Sequence, residues 1–344
     1  MAQLLITGGA GFIGSHTCLG LLEAGHDLVV LDNFINSSPE ALRRVAELMG
    51  LKPHSTRLIT VEGDIRDRNA LNRAFQTHLI DGVIHLAGLK AVGESVLNPL
   101  KYWDNNFNGS RMLLETMEAH NCKRIVFSST STVYGEPSIF PITEEFDVKP
   151  VHPYAQTKLA VEQMLAALTR SDNSWITSSL RYFNPVGAHP SGEIGEDPLG
   201  IPNNLFPFIT QVAAGRRASL SIFGNDYPTP DGTGIRDYLH VLDLAQAHVL
   251  AIEKLLETNH SLPSLNLGTG RGLSVLEVVR GFEQATSIPI AVKICERRPG
   301  DVAKRESCPA LAKKILGWSA QRSLADMCRD GWSWQAKNPN GYRN

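Results

Sequence analysis

The sequence predicts an α/β fold, in which a doubly wound parallel sheet is joined to a smaller mixed α/β region. Short apolar runs alternate with amphipathic helical stretches through the first half of the chain, and this alternation predicts right-handed strand–helix–strand crossovers. A glycine-rich loop at 7–14 follows the first apolar run directly. The alternation ends at 183–185, after which Pro and Gly are dense. We therefore expect a second region of different architecture to begin there.

Each element of the predicted fold comes from its own local pattern. The apolar runs are rich in Val, Ile, Leu and Phe, which is typical of strands buried on both faces. The helical stretches repeat their apolar residues at helical spacing. The predicted strands are 4–7, 27–32, 58–64, 82–87, 124–129 and 175–182. The predicted helices are 14–24, 70–77, 106–119 and 154–169, and in the second region 243–256, 274–285, 309–316 and 323–337.

Composition restricts the class of protein. The 344 residues are 42% hydrophobic and 20% charged, with a net charge of −2, which predicts a globular protein without general affinity for nucleic acid or anionic membrane. The five cysteines are scattered, so we expect reduced thiols and a cytoplasmic protein. The histidines show no metal-ligand spacing, so we expect no metal. The first residues run directly into an apolar strand, and we expect no signal peptide or transmembrane segment.

The loop after the first strand carries a phosphate-binding pattern. Gly8, Gly11 and Gly14 form G-x-x-G-x-x-G between a strand and a helix, where glycine allows a tight turn and a close approach to a pyrophosphate at the helix N-terminus. Asp32 ends the second strand. A carboxylate there can accept hydrogen bonds from the adenosine ribose and repels a 2′-phosphate, which favours NAD over NADP. Asp64, at the end of the third strand, fits either an adenine contact or the N-cap of the next helix.

An acid/base pair follows the fifth strand. Tyr154 and Lys158 are four residues apart, so on a helix they share one face. A free tyrosine titrates near ~10, and a nearby cation favours its anion. Hydroxyl side chains at 128–132 stand where the fifth strand ends, and ligands of open parallel sheets bind at the carboxyl ends of strands. We predict that a hydroxyl there holds a substrate hydroxyl while Tyr154 takes its proton. Lys90, after the fourth strand, can reach cofactor or substrate oxygens or lie in a solvated loop.

Further motifs resemble one protein family over nearly the whole chain. With the glycine loop and the Tyr/Lys pair, they are similar to the extended short-chain dehydrogenase/reductase superfamily, and most similar to its UDP-glucose (UDP-galactose) 4-epimerase family. The strings in the second half are more specific than the cofactor motifs. The motifs are HLAGLKAVGES at 85–95, DNNFNG at 104–109, RYFNPVGAHP at 181–190, GIPNNL at 200–205, FGNDYP at 223–228 and DGTGIRDYLHV at 231–241.

The resemblance implies an NAD-dependent isomerase that interconverts UDP-galactose and UDP-glucose through a transient 4-keto intermediate and tightly bound NAD. Tyr154 would deprotonate the sugar 4-hydroxyl, Lys158 would lower the Tyr154 pKa and bind the nicotinamide ribose, and Thr130 would be the hydroxyl partner. Residues 1–184 would form the NAD-binding Rossmann domain, to which a segment at about 233–260 returns. Residues 185–344 would form the smaller UDP-sugar-binding domain.

The resemblance also implies the individual binding residues. Asn105 would hold the sheet-end loop near the cofactor, and Arg236 would pair with the diphosphate. Those expected to bind the cofactor are Gly8, Gly11, Phe12, Ile13, Gly14, Asp32, Asn33, Asp64, Ile65, Leu86, Ala87, Gly88, Lys90, Asn105, Thr130, Tyr154, Lys158 and Tyr182. Those expected to bind substrate are Thr132, Phe183, Asn184, Asn204, Leu205, Phe223, Arg236, Tyr238, Arg298 and Asp301.

The chain departs from the family pattern at two positions. Threonine stands at 130 where the family commonly has serine, and Ser131 replaces a smaller residue, so Ser131 can share the hydroxyl role. Arg305 occupies a position where a small residue admits N-acetylated sugars and a bulky aromatic one excludes them. Arginine fits neither pattern, and we expect the non-acetylated substrate.

Other functions remain as alternatives. A different NAD-dependent nucleotide-sugar epimerase would act on UDP-N-acetylglucosamine or UDP-N-acetylgalactosamine. A 4,6-dehydratase would place an acidic pair after the catalytic hydroxyl, and 130–134 contains no Asp or Glu. A non-catalytic NAD-binding protein would not need the Tyr/Lys pair. The apolar helix at 154–169 predicts a homodimer, because one face can pack on the sheet and another on a partner helix.

Overall fold

The computed structural model describes residues 1–200, 202–298 and 301–343 of the chain. Ile201, Pro299 and Gly300, which belong to motifs noted above, lie outside the described residues. The strands are β1 Gln3–Thr7, β2 Asp27–Asp32, β3 Leu58–Glu62, β4 Gly82–His85, β5 Arg124–Thr130, β6 Ile176–Tyr182, β7 Asn184–Val186, β8 Leu220–Phe223, β9 Ile235–His240, β10 Leu265–Leu267, β11 Gly272–Ser274, β12 Val292–Cys295 and β13 Lys304–Arg305.

The helices confirm every helix predicted from sequence, with ends shifted by a few residues. A π-helical turn, Trp103–Asn108, precedes α6, and a 3₁₀ turn, Ser131–Tyr134, follows β5. The helices are α1 Phe12–Glu23, α2 Pro39–Leu48, α3 Arg68–Thr77, α4 Val92–Leu97, α5 Pro99–Tyr102, α6 Gly109–Ala119, α7 Pro153–Ser171, α8 Leu205–Ala213, α9 Val241–Glu257, α10 Val275–Thr286, α11 Ala310–Leu316 and α12 Leu324–Lys337.

The main sheet is the predicted doubly wound Rossmann sheet. Its strand order is β10-β6-β5-β4-β1-β2-β3, and strands β1 to β6 pair with one another in parallel. The chain starts in the middle of the sheet and winds first to one edge and then to the other. The order reverses between β1 and β4, and the carboxyl ends of strands at such a reversal form the usual ligand-binding edge.

The prediction that the strands are buried on both faces is correct for the central strands and wrong for β3. The residues of β4 are all buried, and those of β1 and β2 nearly all are. In β3 no residue is fully buried, because this strand is at the edge of the sheet. An apolar run alone does not distinguish an edge strand from a central one.

Four helices were not predicted from the sequence: α2, the short α4 and α5, and α8. Helix α2 is capped by Ser38, whose side chain accepts a hydrogen bond from the Glu40 N–H, and it has proline at its first position, a start signal that was available in the sequence. Helix α8 begins at Leu205, within a stretch dominated by Pro and Gly. The glycines and prolines before it concealed its apolar pattern.

The chain divides into two compact units. The first contains Met1–Gly135, Glu144–Tyr182 and Ala245–Leu265. The second contains Glu136–Thr143, Phe183–Leu244 and Asn266–Asn344. The returning segment is therefore 245–265, where the sequence placed it at about 233–260. Residues 136–143, which the sequence assigned to the first domain, fall in the second unit.

The first unit has a continuous apolar core. It is formed by buried side chains of the sheet and of α3, α6 and α7, among them Leu5, Leu71, Leu113, Phe127 and Val161. The returning helix α9 closes the opposite side, where Gly20 allows close approach of Val249. In this part of the chain the strand ends are therefore held by packing on both faces of the sheet.

The second unit has its own core and two small sheets. β9 is flanked by β11 and β13 and also pairs with β7, and β8 pairs with β12. The core includes Phe206, Ile209, Tyr238, Phe282 and Met327. Across the described ranges, no helix is both long and apolar enough to cross a membrane.

Candidate active site

The glycine loop has the close backbone packing that its pattern predicts. Gly8 has φ +71°, and a Cβ on it would lie 2.6 Å from the Ala87 backbone nitrogen. A Cβ on Gly14 would overlap the Gly8 carbonyl oxygen. Helix α1 begins at Phe12, directly after Gly11, so its unpaired N–H groups and its positive end lie beside this turn. The arrangement can hold an anion such as a pyrophosphate.

Asp32 shapes the loop beside the glycines. Its Oδ2 accepts a hydrogen bond from the Ala10 backbone N–H at 2.9 Å. Its Oδ1 accepts from the Phe34 backbone N–H at 2.9 Å and from the Ser37 hydroxyl at 2.8 Å. Because a carboxylate has about four acceptor positions, these three donors leave room at Oδ2 for a ribose hydroxyl.

Asp64 is not a helix N-cap, so that alternative is wrong. The N-cap of α3 is Asp67, whose side chain accepts from the Asn69 backbone N–H. Asp64 instead binds the Arg66 guanidinium and accepts from the Asn33 side-chain amide at 2.9 Å. The Arg66 guanidinium lowers the pKa of the Asp64 carboxyl to about 2. Asn33 and Asp64 therefore form one polar group at the ends of β2 and β3.

The loop after β4 is held by Asn106, not by Asn105 as predicted. The Asn106 side-chain oxygen accepts from the Leu89 N–H at 2.8 Å, and its amide donates to the Leu89 carbonyl at 3.0 Å. The same amide donates to Thr157 on α7 at 3.2 Å. Asn105, the residue before Asn106 in the π-helical turn, is buried. Adjacent asparagines in a π-helical turn point in different directions, and local spacing did not reveal which one faces the loop.

The remaining predicted cofactor residues line the same strand ends. Leu86 extends the pairing of β4, since its N–H donates to the Thr7 carbonyl at 3.0 Å. Ile65 is buried and packs at Gly109. Gly88 and Lys90 are exposed, and Ile13 is half-buried.

Tyr154 and Thr130 form a hydroxyl pair where β5 ends. Tyr154 is the second residue of α7, and its phenol lies near enough to the Thr130 hydroxyl for that hydroxyl to favour the phenolate. The Thr130 oxygen also accepts from the Thr132 backbone N–H at 3.2 Å and lies 3.0 Å from the Thr132 hydroxyl. Because the Thr132 N–H donates to the Thr130 oxygen, the Thr130 hydroxyl can direct its own hydrogen to the phenol. Ser131 is buried at the start of the 3₁₀ turn.

Lys158 lies one turn after Tyr154 and is only 4% exposed. Its ammonium donates to the Ser128 carbonyl at 2.8 Å and lies 4.8 Å from the centre of the Phe127 ring. It is also near Gly88, where an added Cβ would be 3.5 Å from Nζ. Burial lowers the pKa of Lys158 to about 8, and the negative charge of Glu162 opposes that change.

The protein groups by themselves do not produce the lowered phenol pKa that was predicted. Burial raises the pKa of Tyr154 to about 12, and the hydrogen bond from Thr130 acts in the opposite direction. The physical reason is that desolvation of a phenolate costs more than one neutral hydroxyl returns. Positive charge close to the phenol, from Lys158 or from a bound group, would act against the effect of burial.

Sequence reasoning missed a buried ion pair beneath Lys158. The Arg181 Nε donates to the Glu162 carboxylate at 3.0 Å, and its Nη1 donates to the Tyr134 hydroxyl at 2.9 Å. Ser129 donates to the same carboxylate. Glu162 is four residues after Lys158, so the spacing offered a signal. The structure shows that this carboxylate joins α7 to β5 and β6.

Tyr182 also belongs to the residues at these strand ends. Its hydroxyl lies 3.3 Å from His248 Nε2, and the two rings meet edge to face. Burial raises the pKa of the Tyr182 hydroxyl, which stays neutral. The first unit thus gathers the glycine loop, the β2–β3 polar group and the hydroxyl pair at the carboxyl ends of its strands.

In the second unit, four of the predicted substrate residues form one cluster. The Arg298 guanidinium lies 4.6 Å from the centre of the Phe223 ring. Its Nε donates to Asp301 at 3.0 Å, and Arg236 lies 3.7 Å from the same carboxylate. Phe223 is 37% exposed, so part of its side chain is accessible to a ligand. The cluster offers an aromatic surface beside paired cations.

The other predicted substrate residues occupy different surroundings in that unit. Phe183 and Tyr238 are buried. Asn184 begins β7 and pairs with Tyr238 in register. The Asn204 amide donates to Glu196 at 3.0 Å, and Leu205 packs against the second unit's core.

Comparison with known proteins gives consistent matches over the whole chain. The family described as GDP-mannose 4,6 dehydratase matches residues 5–331. A UDP-glucose 4-epimerase of Bacillus subtilis is 54% identical over 341 residues, which cover 99% of each chain. Two crystal structures of UDP-glucose 4-epimerases also match. That from Stenotrophomonas maltophila, with NAD and formylated UDP-arabinopyranose, has TM-score 0.95 and 46% identity, covering 98% of this chain and 99% of that one. That from Bifidobacterium longum, with NAD+ and UDP, has TM-score 0.93 and 48% identity at the same coverage.

Proposed function

The chain belongs to the UDP-glucose 4-epimerase family, within the broader family described as GDP-mannose 4,6 dehydratase, and we propose that it interconverts UDP-galactose and UDP-glucose by epimerisation at C4. It is an NAD-dependent enzyme of the isomerase class. The observation that carries this function is the hydroxyl pair of Tyr154 and Thr130 beside the buried ammonium of Lys158. An acid/base group, a hydrogen-bonding partner and a cation are thereby collected at one strand end.

The residues of the first unit fit NAD. A Cβ at Gly14 would overlap the Gly8 backbone. A turn that binds pyrophosphate needs glycine at such a position so that the backbone can pack this closely. Asp32 has an acceptor position remaining for a ribose hydroxyl, and its charge disfavours a 2′-phosphate. Asn33 and Asp64 would flank the adenine, and Lys158 would bind the nicotinamide ribose. Bound NAD supplies the hydride acceptor and donor at sugar C4 and a positive charge near Tyr154.

The catalytic work of the protein is proton transfer and positioning. Thr130 holds the 4-hydroxyl, and Tyr154 takes its proton when C4 is oxidised and returns it when the transient 4-keto sugar is reduced on its other face. Lys158 stabilises the phenolate by its charge. No group in the 3₁₀ turn, Ser131–Tyr134, is acidic, and this disfavours dehydration.

The second unit would bind the UDP moiety, and this extends the domain assignment made from sequence. Phe223 offers its ring to the uracil, and Arg236 and Arg298 bind phosphate oxygens through planar guanidinium groups. Binding energy concentrated on UDP leaves the hexose able to turn over before it is reduced. Asn184 and Asn204 would contact the diphosphate or the sugar.

The activity is tested by incubating purified protein with UDP-galactose and no added NAD, and resolving UDP-glucose by chromatography. We expect a product peak, because tightly bound NAD is purified with the protein. No product even after NAD is added would contradict this function. UDP-N-acetylgalactosamine is the next substrate to test, and NAD binding without any turnover would indicate a binding protein.

The hydroxyl partner of Tyr154 is tested by Thr130→Ala. We expect kcat to fall by about 10²-fold, because the substrate hydroxyl and the phenol both lose a hydrogen-bond partner. Thr130→Ser keeps the hydroxyl and should retain most activity. Ser131→Ala is the matched control at the neighbouring buried position. A loss at Ser131→Ala equal to that at Thr130→Ala would show that the two residues share the role.

The glycine loop is tested by Gly14→Ala. The added methyl would overlap the Gly8 carbonyl, so the turn must open, and we expect the purified variant to contain far less NAD than the parent protein. Gly93→Ala is the control, because a Cβ there meets nothing within 4 Å. Equal NAD content in both variants, measured by absorbance after acid release, would contradict the assignment.

The homodimer and the cytoplasmic location remain proposals. Leu97 and Leu100 are 80% and 81% exposed on α4 and α5, which adjoin α7, and such exposed apolar groups favour a self-complementary interface. We expect a dimer in light scattering at micromolar concentration, and a shift towards monomer for Leu97→Asp/Leu100→Asp. Leu79→Asp, at another position 84% exposed, should remain dimeric. A monomeric parent protein would refute the homodimer.

A further inference from the structure

Three buried polar side chains form a row from the end of β1 to the start of α6. The Thr7 hydroxyl lies 2.7 Å from Nδ1 of His85, and Nε2 of His85 lies 2.8 Å from the Ser110 hydroxyl. Ser110 donates to the Asn106 backbone carbonyl in the π-helical turn. At the other end, the Ala87 backbone N–H donates to Thr7 Oγ1 at 3.4 Å. We call Thr7, His85 and Ser110 the buried row, and their exposed fractions are 0%, 1% and 2%.

The direction of each hydrogen bond in the buried row follows from its two ends. A backbone N–H only donates and a backbone carbonyl only accepts, so Ala87 donates into the row and Asn106 accepts from it. Ser110 uses its one hydrogen on Asn106 and therefore accepts from His85 Nε2–H. Burial lowers the pKa of His85 to about 3, so the imidazole is neutral and its Nδ1 accepts from Thr7. This single tautomer of His85 gives every hydrogen in the row an acceptor.

The buried row connects the glycine loop with the first turn of α7. A Cβ on Gly8 would lie 2.6 Å from the Ala87 nitrogen, so the row begins where the glycine loop packs on the loop after β4. At the far end, the Asn106 side-chain amide donates to the Thr157 hydroxyl at 3.2 Å, and Thr157 donates to the Tyr154 backbone carbonyl at 2.8 Å. One continuous set of hydrogen bonds thus joins the cofactor loop to the turn that carries the reacting phenol.

We propose that Thr7, His85 and Ser110 are positioning residues that hold the NAD-binding loop and the first turn of α7 in a fixed relation. This inference rests on the proposed function. Hydride and proton leave the same C4–OH group, so the cofactor and the Tyr154 phenol must be placed relative to each other, and a misplacement of about 1 Å can cost about 10²-fold in rate. A fully satisfied buried network suits this role, because moving any member leaves a buried polar group without its partner.

The buried row is tested by Thr7→Val, which keeps the shape of the side chain and removes its hydroxyl. We expect bound NAD to leave the full chain about tenfold faster on dilution into NAD-free buffer, because His85 Nδ1 and the Ala87 N–H lose a buried partner. We also expect kcat for UDP-galactose to fall about tenfold, with KM unchanged. Thr7→Ser keeps the hydroxyl and should restore both rates. Thr116→Val is the matched control, because the Thr116 hydroxyl is 3% exposed and donates to the Met112 carbonyl within α6.

A double variant distinguishes one connected row from separate contacts. Thr7→Val/Ser110→Ala removes both partners of the His85 ring. If the row acts as a unit, the double variant should lose about tenfold in kcat, as each single variant does, whereas independent contacts would give about a hundredfold. A multiplicative loss would overturn the proposal. Should Thr7→Val not fold, Ser110→Ala alone breaks the row at its other end, and parent values of NAD release and kcat in it would also overturn the proposal.

Different outcomes separate this inference from the function it rests on. Parent protein that carries NAD but makes no UDP-glucose would contradict the epimerase, while NAD release would still test the row. A Thr7→Val variant that unfolds at lower urea concentration but keeps the parent NAD release and kcat would show a purely structural row, and would overturn this inference alone. A change in only one of the two rates would overturn the connection between the glycine loop and α7.

Discussion

Tyr154→Phe is expected to lower kcat for UDP-galactose by about 10²- to 10⁴-fold, the usual contribution of a positioned acid/base group. The substitution removes only the hydroxyl that exchanges its proton with the sugar. The Tyr154 ring stacks on the His152 ring with centroids 6.0 Å apart, a contact that needs no hydroxyl, so the ring position should be kept. Initial rates under saturating UDP-galactose, together with the NAD content of the purified variant, provide the measurement.

The control is Tyr342→Phe, which makes the same chemical change in the second unit, where the hydroxyl accepts from the Gly195 N–H at 3.1 Å. Its kcat should stay near that of the parent protein. A Tyr154→Phe variant that keeps more than about a tenth of the parent kcat would show that another group transfers the proton, since such a loss is below the range for this type of catalysis.

Glu162→Gln is expected to destabilise the protein by about 3–5 kcal/mol, because it leaves the buried Arg181 guanidinium without its charge partner. Side chains of Glu162 and Arg181 are 7% and 9% exposed, so water does not replace the lost interaction. Urea denaturation measures the change. Glu257→Gln, where the carboxylate is 71% exposed, should unfold at the parent concentration of urea.

The same substitution should also shift the pH dependence of the reaction. The Lys158 pKa, lowered to about 8 by burial, is held up by the charge of Glu162. Without that charge the pKa falls further, so Lys158 loses its proton at lower pH. Because Lys158 acts as a cation, the alkaline limb of kcat/KM should move to lower pH. An unmoved limb, or one moved to higher pH, would show that Glu162 does not act through Lys158.

A double variant separates the two effects of Glu162. Glu162→Gln/Arg181→Gln removes both charges, so part of the lost stability should return, because no buried charge is left uncompensated. The shift of the alkaline limb should remain, because it depends on the missing carboxylate. Recovery of the parent pH profile in the double variant would mean that the shift came from distortion of α7.

Local patterns were sufficient for the parts of this protein that depend on backbone geometry. Continuous apolar runs predicted six of the seven strands of the main sheet, all except β10. The glycine loop was predicted from spacing, because only glycine fits at Gly8 and Gly14. The spacing of Tyr154 and Lys158 predicted that they share a helix face. These features are properties of a few consecutive residues, which the sequence displays directly.

Other features depend on which distant segments meet. Asn106 rather than Asn105 holds the loop after β4, because the turn that carries both rotates Asn106 towards Leu89 and Thr157. The direction of the Tyr154 pKa shift follows from its burial, which no local pattern encodes. The Glu162–Arg181 pair joins residues on α7 and β6, and Arg305 meets Arg236 only because β13 pairs with β9.

The amino-acid sequence alone therefore determined the type of fold, the glycine-rich loop, the helix face shared by Tyr154 and Lys158, and the family. The tertiary structure decided which buried charges meet, which of two adjacent polar residues faces the loop, and that 136–143 belongs with the second unit. The physical reason is the separation along the chain over which each effect acts. Backbone conformation and side-chain periodicity are set over a few residues, whereas desolvation and charge pairing depend on neighbours brought together from distant parts of the chain.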